Sequence, residues 1–372
     1  MRQDPIIYET LTQAILTNSF SEASRNMFAY HSVRYYCDGL PAGPQEFVTP
    51  LVTPDALSVL PTPYAAIDVL FTQGFRDTLF NFNDGFNNYN CLKARGGDVR
   101  LLTHQSGHIV GASAAGVGGG VIPVPATVPG VEGPLDPLYA VATVPGFQDP
   151  GGSRACGTIN LDDAQFAWFE EKLNGKAGEV DKVISTGSDV CLSLAQDDHV
   201  AVREIIVGGT PFALDISTPQ FSSVLGVGGA VLGNGAREQL LATLPLYTAP
   251  QGGAILAGIP TLQLDFAGLS GVESGDCATP VPAGGCDPIV FLAIGQRMAG
   301  TERWDLVDDQ ITALRGFGAH GGNMNGIAER LAAGDELALL IYGFHAQFPV
   351  TWSRDVFVPA LEISGSVSLP IQ

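Results

Sequence analysis

Asp77 and His108 are the residues whose types and placement point most directly to chemistry. Each stands just past a run that reads as a buried strand, "AIDVLFTQG" closed by Gly74 and "DVRLLTH" closed by His104. A carboxylate so placed can hold an imidazole in one tautomer and stabilise it once protonated. The imidazole can then take a proton from a hydroxyl nucleophile. Two structural readings stand beside this one. Asp77 in "RDTLFNFND" is of a type favoured as a helix cap, and His108 suits an ordinary turn. His104 is a rival base, but it sits at the end of the strand itself. Asp84 falls on the following helix, and Asp68 begins the first strand.

A base of this kind serves a nucleophile, and none is legible. No Gly-x-Ser-x-Gly occurs. "GASAAG" around Ser113 and "GGSRA" around Ser153 lack the strand before and helix after that a nucleophile elbow needs. His31, His199, His320 and His345 are scattered and form no His-Glu-x-x-His spacing, so neither a metal site nor any cofactor is expected. "GVGGG" and "GVGGAVLGNG" are glycine-rich but lack the Gly-Lys-Ser/Thr of a phosphate loop. "GAHGGNMNG" reads as a turn cluster.

The elements that position the pair follow from periodicity. "NFNDGFNNYNCLKARGG" spaces Phe82, Phe86, Tyr89 and Leu92 as a helical stripe closed by Gly96-Gly97. Strand, helix and strand at this spacing predict a right-handed crossover in a parallel sheet. Residues 1–38 read as helices and residues 39–63 as a proline-rich loop. The Gly/Pro/Val/Ala tract over 109–155 reads as a loop with short extended pieces. "NLDDAQFAWFEEKLNGK" restores a helix, with Phe166, Trp168, Phe169 and Leu173 apolar, and "VDKVISTGSDVCLSL" reads as extended. From about residue 200 come "EIIVGG", "AILAGIPTLQLDFAGL", "DPIVFLAIG", "ELALLIYG" and "LEISGSVSLP". Short strands at that density predict a β-sandwich or jelly roll. The expected fold class is α/β plus all-β.

Composition bounds the partners. The 372 residues are 45% hydrophobic and carry 38 acidic against 18 basic side chains, a formal charge of −20. Such a surface repels nucleic acid and anionic membranes. No run of apolar residues is long enough to span a bilayer, and the first residues do not read as a signal peptide. The six cysteines form no Cys-x-x-Cys pair, which argues against zinc. Cys277 and Cys286 bracket a loop of small residues, "CATPVPAGGC", where a disulfide fits and points to an oxidising compartment.

"VLFTQGFRDTLFNFNDGFNNYNCLKARGGDVRLL…SGH" resembles the second half of the hydrolase domain in the Xaa-Pro dipeptidyl-peptidase and cocaine-esterase-like family of serine hydrolases. "FAWFEEKLNGK" is similar to that family's last hydrolase helix. "FLAIGQRMAGTERWDLVDDQITALRG", "GIAERLAAGDELALLIYGFHAQFP" and "ISGSVSLP" are similar to its C-terminal jelly roll. The resemblance implies part of an α/β-hydrolase domain over residues 1–198, with cap-like helices and loop to residue 63, and a jelly-roll β-sandwich over 199–372. Acid before histidine, each after a strand, matches the tail of the Ser…Asp/Glu…His chain order. It makes Asp77 the triad acid and His108 the triad base. The family's nucleophile serine and oxyanion-hole tyrosine match nothing here and would lie upstream of Met1. The implied substrate is a small peptide or ester, and the implied partner is the missing N-terminal half or an oligomer. The parent protein is expected outside the cell or in its envelope. A different reading makes the C-terminal sandwich a binding module for carbohydrate or protein, with Trp304 and Trp352 as sugar platforms; packing within the core or rim is the plainer role for both.

Overall fold

The computed structural model describes Thr10, Phe20, Ser24, Arg25 and Phe28, and then residues 65–78, 80–107, 154–185, 189–195, 198–222, 238–268, 288–345, 347–348, 358 and 360–372. His108, the tract expected to loop from 109, Trp352, Cys37 and the Cys277–Cys286 pair lie outside the described residues, as does most of the expected helical region before residue 63. Thr10, Ser24, Arg25 and Phe28 are helical. The chain divides into two compact units, residues 1–71 with 84–100, and residues 72–83 with 101–372.

Strand β1 (Val69–Gly74), helix α1 (Phe82–Lys93) and strand β2 (Val99–His104) form where the apolar runs and the stripe place them. In the first unit, Val69 N–H donates to the Asp98 carbonyl, and the Asp98 N–H donates to the Asp68 carboxylate at 2.9 Å. Gly96 turns the chain after α1 at φ 93°, a backbone that glycine adopts without strain. Phe86 and Tyr89 stack along the helix, with Tyr89 and Leu92 buried.

In the second unit, the hairpin of β3 (Ala155–Cys156) and β4 (Ile159–Asn160) leads into helix α2 (Leu161–Lys172). The Asn160 side chain caps α2 by accepting from the Asp162 and Asp163 amides. Helix α2 buries Leu161, Ala164, Ala167 and Trp168. Three of the four expected apolar positions instead face outward: Phe166 is 68% exposed, Phe169 55% and Leu173 75%. The segment expected to run extended from Val180 begins with a single 3₁₀ turn, Val180–Lys182. It reaches strand geometry only at β5 (Val190–Ala195), which is followed by β6 (Asp198–Val202). The sheet order is β1-β2-β5-β6. β2 and β5 are parallel, with Leu101 opposite Val190, and β6 runs antiparallel to β5. Leu101, Leu102, Val190, Leu192 and Leu194 are buried, as expected for strands covered on both faces. A Cys156–Cys191 disulfide ties β3 to β5, and Cys91 is also disulfide-bonded.

The rest is antiparallel. One sheet takes the order β14-β10-β17-β7, from β7 (Thr210–Ser217), β10 (Thr261–Gly268), β14 (Gly318–Asn323) and β17 (Leu361–Leu369). The other takes β12-β11-β16-β8 with β13 also on β11, from β8 (Glu238–Thr248), β11 (Ile289–Arg297), β12 (Asp305–Leu306), β13 (Thr312–Arg315) and β16 (Glu336–His345). β9 (Ala254–Gly258) pairs with β15 (Ile327–Leu331). Period-two alternation puts Leu262, Leu264, Phe266, Ile363 and Val367 from the first sheet against Val290, Leu292, Ile294, Leu339 and Ile341 from the second. Burial of each large side chain stabilises by about 1.5–3 kcal/mol. β11 and β16 are buried on both faces, because Phe291, Ala338, Leu340 and Tyr342 join Ile311 in a second apolar cluster. The fold class is α/β plus all-β, as the sequence predicts.

One expectation fails here. "GAHGGNMNG" supplies edge strand β14, with Gly321 opposite Gln263 and His320 opposite Leu264. Glycine has low strand propensity, but β10 supplies a full ladder and an edge demands only one partner. His320 adds packing on Phe266, with ring centroids 4.6 Å apart.

The disulfide closes a 35-residue separation. Replacing Cys156 and Cys191 together by alanine is expected to lower unfolding free energy by about 2–4 kcal/mol, read from denaturant midpoints. An unchanged midpoint would show that the bridge constrains nothing in the unfolded chain.

Candidate active site

The chain leaving β1 and the chain leaving β2 meet where the two strands end. After β1, Phe75 N–H donates to the His104 carbonyl at 2.9 Å. Gly74 packs so tightly on the Ser106 backbone that a Cβ there would collide with the Ser106 carbonyl, and it would also lie 3.2 Å from His104 Cε1. Glycine is therefore required at the end of β1 by close approach. His104 is buried, and its Nδ1 accepts from the Ser106 amide at 3.3 Å. That bond uses the lone pair a general base would need on that nitrogen and fixes the ring as part of the turn. Ser106 is fully buried, two residues before His108.

Asp77 lies three residues past β1 and is 8% exposed. Its Oδ1 accepts from the Phe80 amide at 2.8 Å. Asp77 thus closes its own turn and does not cap α1. That cap is Asn81, whose side chain accepts from the Asn83 amide at 3.0 Å. His108 lies outside the described residues, so the structure locates the chain leading to it, through Gly107, and Asp77 itself.

Sequence reasoning missed what grips these loops from the sandwich. Between β12 and β13 the chain makes a 3₁₀ turn, Val307–Asp309. Asp308 and Asp309 both take left-handed backbone, φ 53° and 56°, the only non-glycine residues at positive φ among those described. Each costs about 1 kcal/mol or more, less for aspartate than for a branched residue. The turn presents Gln310, 3% exposed, to the acid loop. Gln310 Nε2 donates to the Phe75 carbonyl at 2.5 Å and reaches the Asp77 carbonyl at 3.2 Å. Its Oε1 accepts from Asn325 Nδ2 at 3.0 Å, which fixes the amide orientation. Arg76 pairs with Asp309, Nη2 to Oδ2 2.6 Å. Asn83 donates to the Met324 carbonyl and accepts from the Gly326 amide. Phe75 and Phe82 stack at 4.8 Å beneath this seam.

Asp308 faces the other loop. Its carboxylate accepts from the Ala328 amide at 2.7 Å, and the neighbouring Gln105 side chain favours its charged form. Gln105 also donates to the Ser193 carbonyl at 2.9 Å. Burial pushes the Asp308 carboxyl well above the usual range, against the Ala328 bond that favours its charged form, with nearby Glu329 adding to the rise. Burial also pushes Glu329 up to about 7, with the Arg330 amide and Arg76 opposing and Asp198 and Asp335 reinforcing. Arg330 ion-pairs with Asp198 of β6 and lowers the Asp198 pKa.

No group of three or more metal-ligating side chains gathers among the described residues. A hollow of about 520 Å³ beside α2, lined by Thr158, Asn160, Asp163, Phe166 and Lys182 among others, includes none of the site residues. Trp304 packs against the cluster around Phe291, and the Arg297 guanidinium lies 5.0 Å over its ring. One face of that ring is thus covered by a cation, in keeping with the packing role. No helix among the described residues is long and apolar enough to cross a membrane.

No protein-family model and no curated protein matches the chain. Among solved structures it is similar to a CocE/NonD family hydrolase from Staphylococcus aureus, at 10% identity and TM-score 0.46, over 82% of this chain and 55% of that one. It is similar to an alpha-amino acid ester hydrolase at 10% identity and TM-score 0.47, over 83% and 56%. An aminopeptidase from a marine sediment archaeon, Thaumarchaeota archaeon, matches at 8% identity and TM-score 0.42, over 85% and 56%. The chain spans about half the length of these structures.

The raised carboxyls fix a pH dependence. A group whose folded pKa exceeds its unfolded one binds its proton more tightly in the native state, so its stabilising effect holds at acid pH and is lost as pH rises. For Glu329 the window runs from the ordinary 4.5 to about 7. Glu329→Gln is expected to be neutral near pH 4 and stabilising by about 1–2 kcal/mol above pH 8, reduced from the full shift because solvent screens its open edge. Chemical denaturation at the two pH values checks this; an equal effect at both contradicts it.

Proposed function

We propose that this chain carries the acid and base of a serine hydrolase acting on small peptide or ester substrates, in the manner of Xaa-Pro dipeptidyl-peptidases and cocaine-esterase-like enzymes. Asp77 orients His108. His108 takes the proton of a serine hydroxyl as the oxygen attacks the acyl carbon, then returns it to the leaving group. The carrying observation is the contact between the two loops: Phe75 N–H on the His104 carbonyl, and Gly74 against Ser106. That contact brings the acid turn alongside the chain that leads into His108. The placement past strand ends, where open α/β sheets carry their functional groups, supports the same reading.

We assign the nucleophile to protein outside these 372 residues: the sequence holds no Gly-x-Ser-x-Gly, and no serine among the described residues sits in a strand–turn–helix frame. An N-terminal hydrolase half, on the same polypeptide or a second one, is the partner. The hydrolase portion runs through β6, which pairs with β5 and carries the boundary past the expected residue 198 to Val202, and the sandwich follows. The proposed proton relay calls for no cofactor. The Cys156–Cys191 bridge suits a protein working outside the cell or in its envelope.

Titration of the His108 imidazole by NMR in the 372-residue chain tests the pairing. A facing carboxylate raises the imidazole pKa, so Asp77→Asn is expected to lower it by about one unit. An identical titration in both proteins would remove Asp77 as the acid. Separately, a fluorophosphonate probe is expected to leave every serine of this chain unlabelled. A covalent adduct on one of them would give the chain a nucleophile of its own.

A further inference from the structure

We infer that the sandwich turn Val307–Gln310 is a positioning device for the acid–base pair, with Gln310 and the Arg76–Asp309 ion pair setting the place of the Asp77 carboxylate. The inference rests on the proposed Asp77–His108 pairing and adds the residues that hold the turn carrying Asp77.

One four-residue turn reaches both loops. Gln310 bonds the carbonyls of Phe75 and Asp77, and Arg76 between them is held by Asp309. All three residues of the acid segment are therefore tied to the sandwich. On the far side of the turn the Gln105 side chain, which donates to the Ser193 carbonyl, neighbours Asp308. The turn is in turn held from behind: Gln347 Nε2 donates to the Asp309 carbonyl at 2.8 Å, Asn325 fixes Gln310, and the Ala328 amide fixes Asp308.

Two features separate this from ordinary packing. The first is strain. Adjacent aspartates in left-handed backbone are strained, and such strain persists only where surrounding contacts over-determine it. Here that backbone turns Asp309 to Arg76 and Asp308 to the Ala328 amide. The second is burial. Gln310 is nearly inaccessible, and its amide protons are shared among the carbonyls of Phe75, Asp77 and Asp308. A leucine or methionine would fill the space as well, but could not define where those carbonyls lie. A carboxylate must hold an imidazole within hydrogen-bond reach to fix its tautomer, and a displacement of about 1 Å is enough to weaken that.

The test compares His108 imidazole titrations in four full-length chains: the parent, Asp77→Asn, Gln310→Met, and the charge-neutral double variant Arg76→Gln/Asp309→Asn. Asp77→Asn establishes the full shift due to the acid. Gln310→Met is expected to give at least half of that downward shift with the fold retained, because the acid turn moves while its carboxylate remains. The double variant, at a more accessible ion pair, is expected to shift in the same direction and decides the matter if Gln310→Met does not fold. A large shift in Asp77→Asn with none in either seam variant would overturn the positioning role while leaving the pairing intact. No shift in Asp77→Asn would remove the pairing, and this inference with it.

Discussion

Buried backbone carbonyls need donors, and past the end of β1 they find them in a side chain from the sandwich. Phe75 and Asp77 lie past the ladder, where no neighbouring strand can serve them. Gln310 does so from more than two hundred residues away in sequence. An unsatisfied buried carbonyl costs about 1–3 kcal/mol, so this seam is a requirement of the fold before it is a device of function. The shape of the acid turn is a consequence of it, and so is the spacing between that turn and the loop leading to His108.

The sandwich suits this task because it is stiff. β11 and β16 are buried on both faces, and the turn that carries Asp308, Asp309 and Gln310 sits beside them between β12 and β13. Close-packed apolar layers resist small displacements, so a side chain mounted on them is held in place at little entropic cost. The Asp198–Arg330 pair from β6 and the Asn83 contacts with Met324 and Gly326 extend the seam to either side. What is unusual is the chemistry at its centre, where two carboxyls, Asp308 and Glu329, are pushed toward their neutral forms by burial.

Local pattern disclosed the elements whose stabilisation is local. β1, β2, β10, β11, β16 and β17 stand where apolar runs and alternation put them, and α1 follows its stripe from Phe82 to Leu92. Helix α2 was legible as a helix, but its rotation was not. Small residues, Ala164 and Ala167, approach the core while the large Phe166 and Phe169 turn away, and size-weighted periodicity points the wrong way. β14 was illegible because its conformation comes from β10 and hardly at all from its own glycines. The Cys156–Cys191 bridge pairs residues with no shared motif. Asp77 stands just past its strand end, where the sequence places it. Gln310 was not legible, since nothing in "VDDQ" reveals a partner so distant. The one available signal was two adjacent aspartates between apolar strands with no glycine to make the turn, a place where left-handed backbone is tolerated.

The most direct measurement is the proton spectrum of the intact chain at low temperature, searched for a far-downfield, exchange-protected imidazole N–H assigned to His108. A histidine whose ring nitrogen donates to a buried carboxylate gives such a resonance. The account expects it in the parent chain and its disappearance in Asp77→Asn. A spectrum without it, or one in which it survives that substitution, would contradict the convergence of Asp77 and His108 on which everything else has been built.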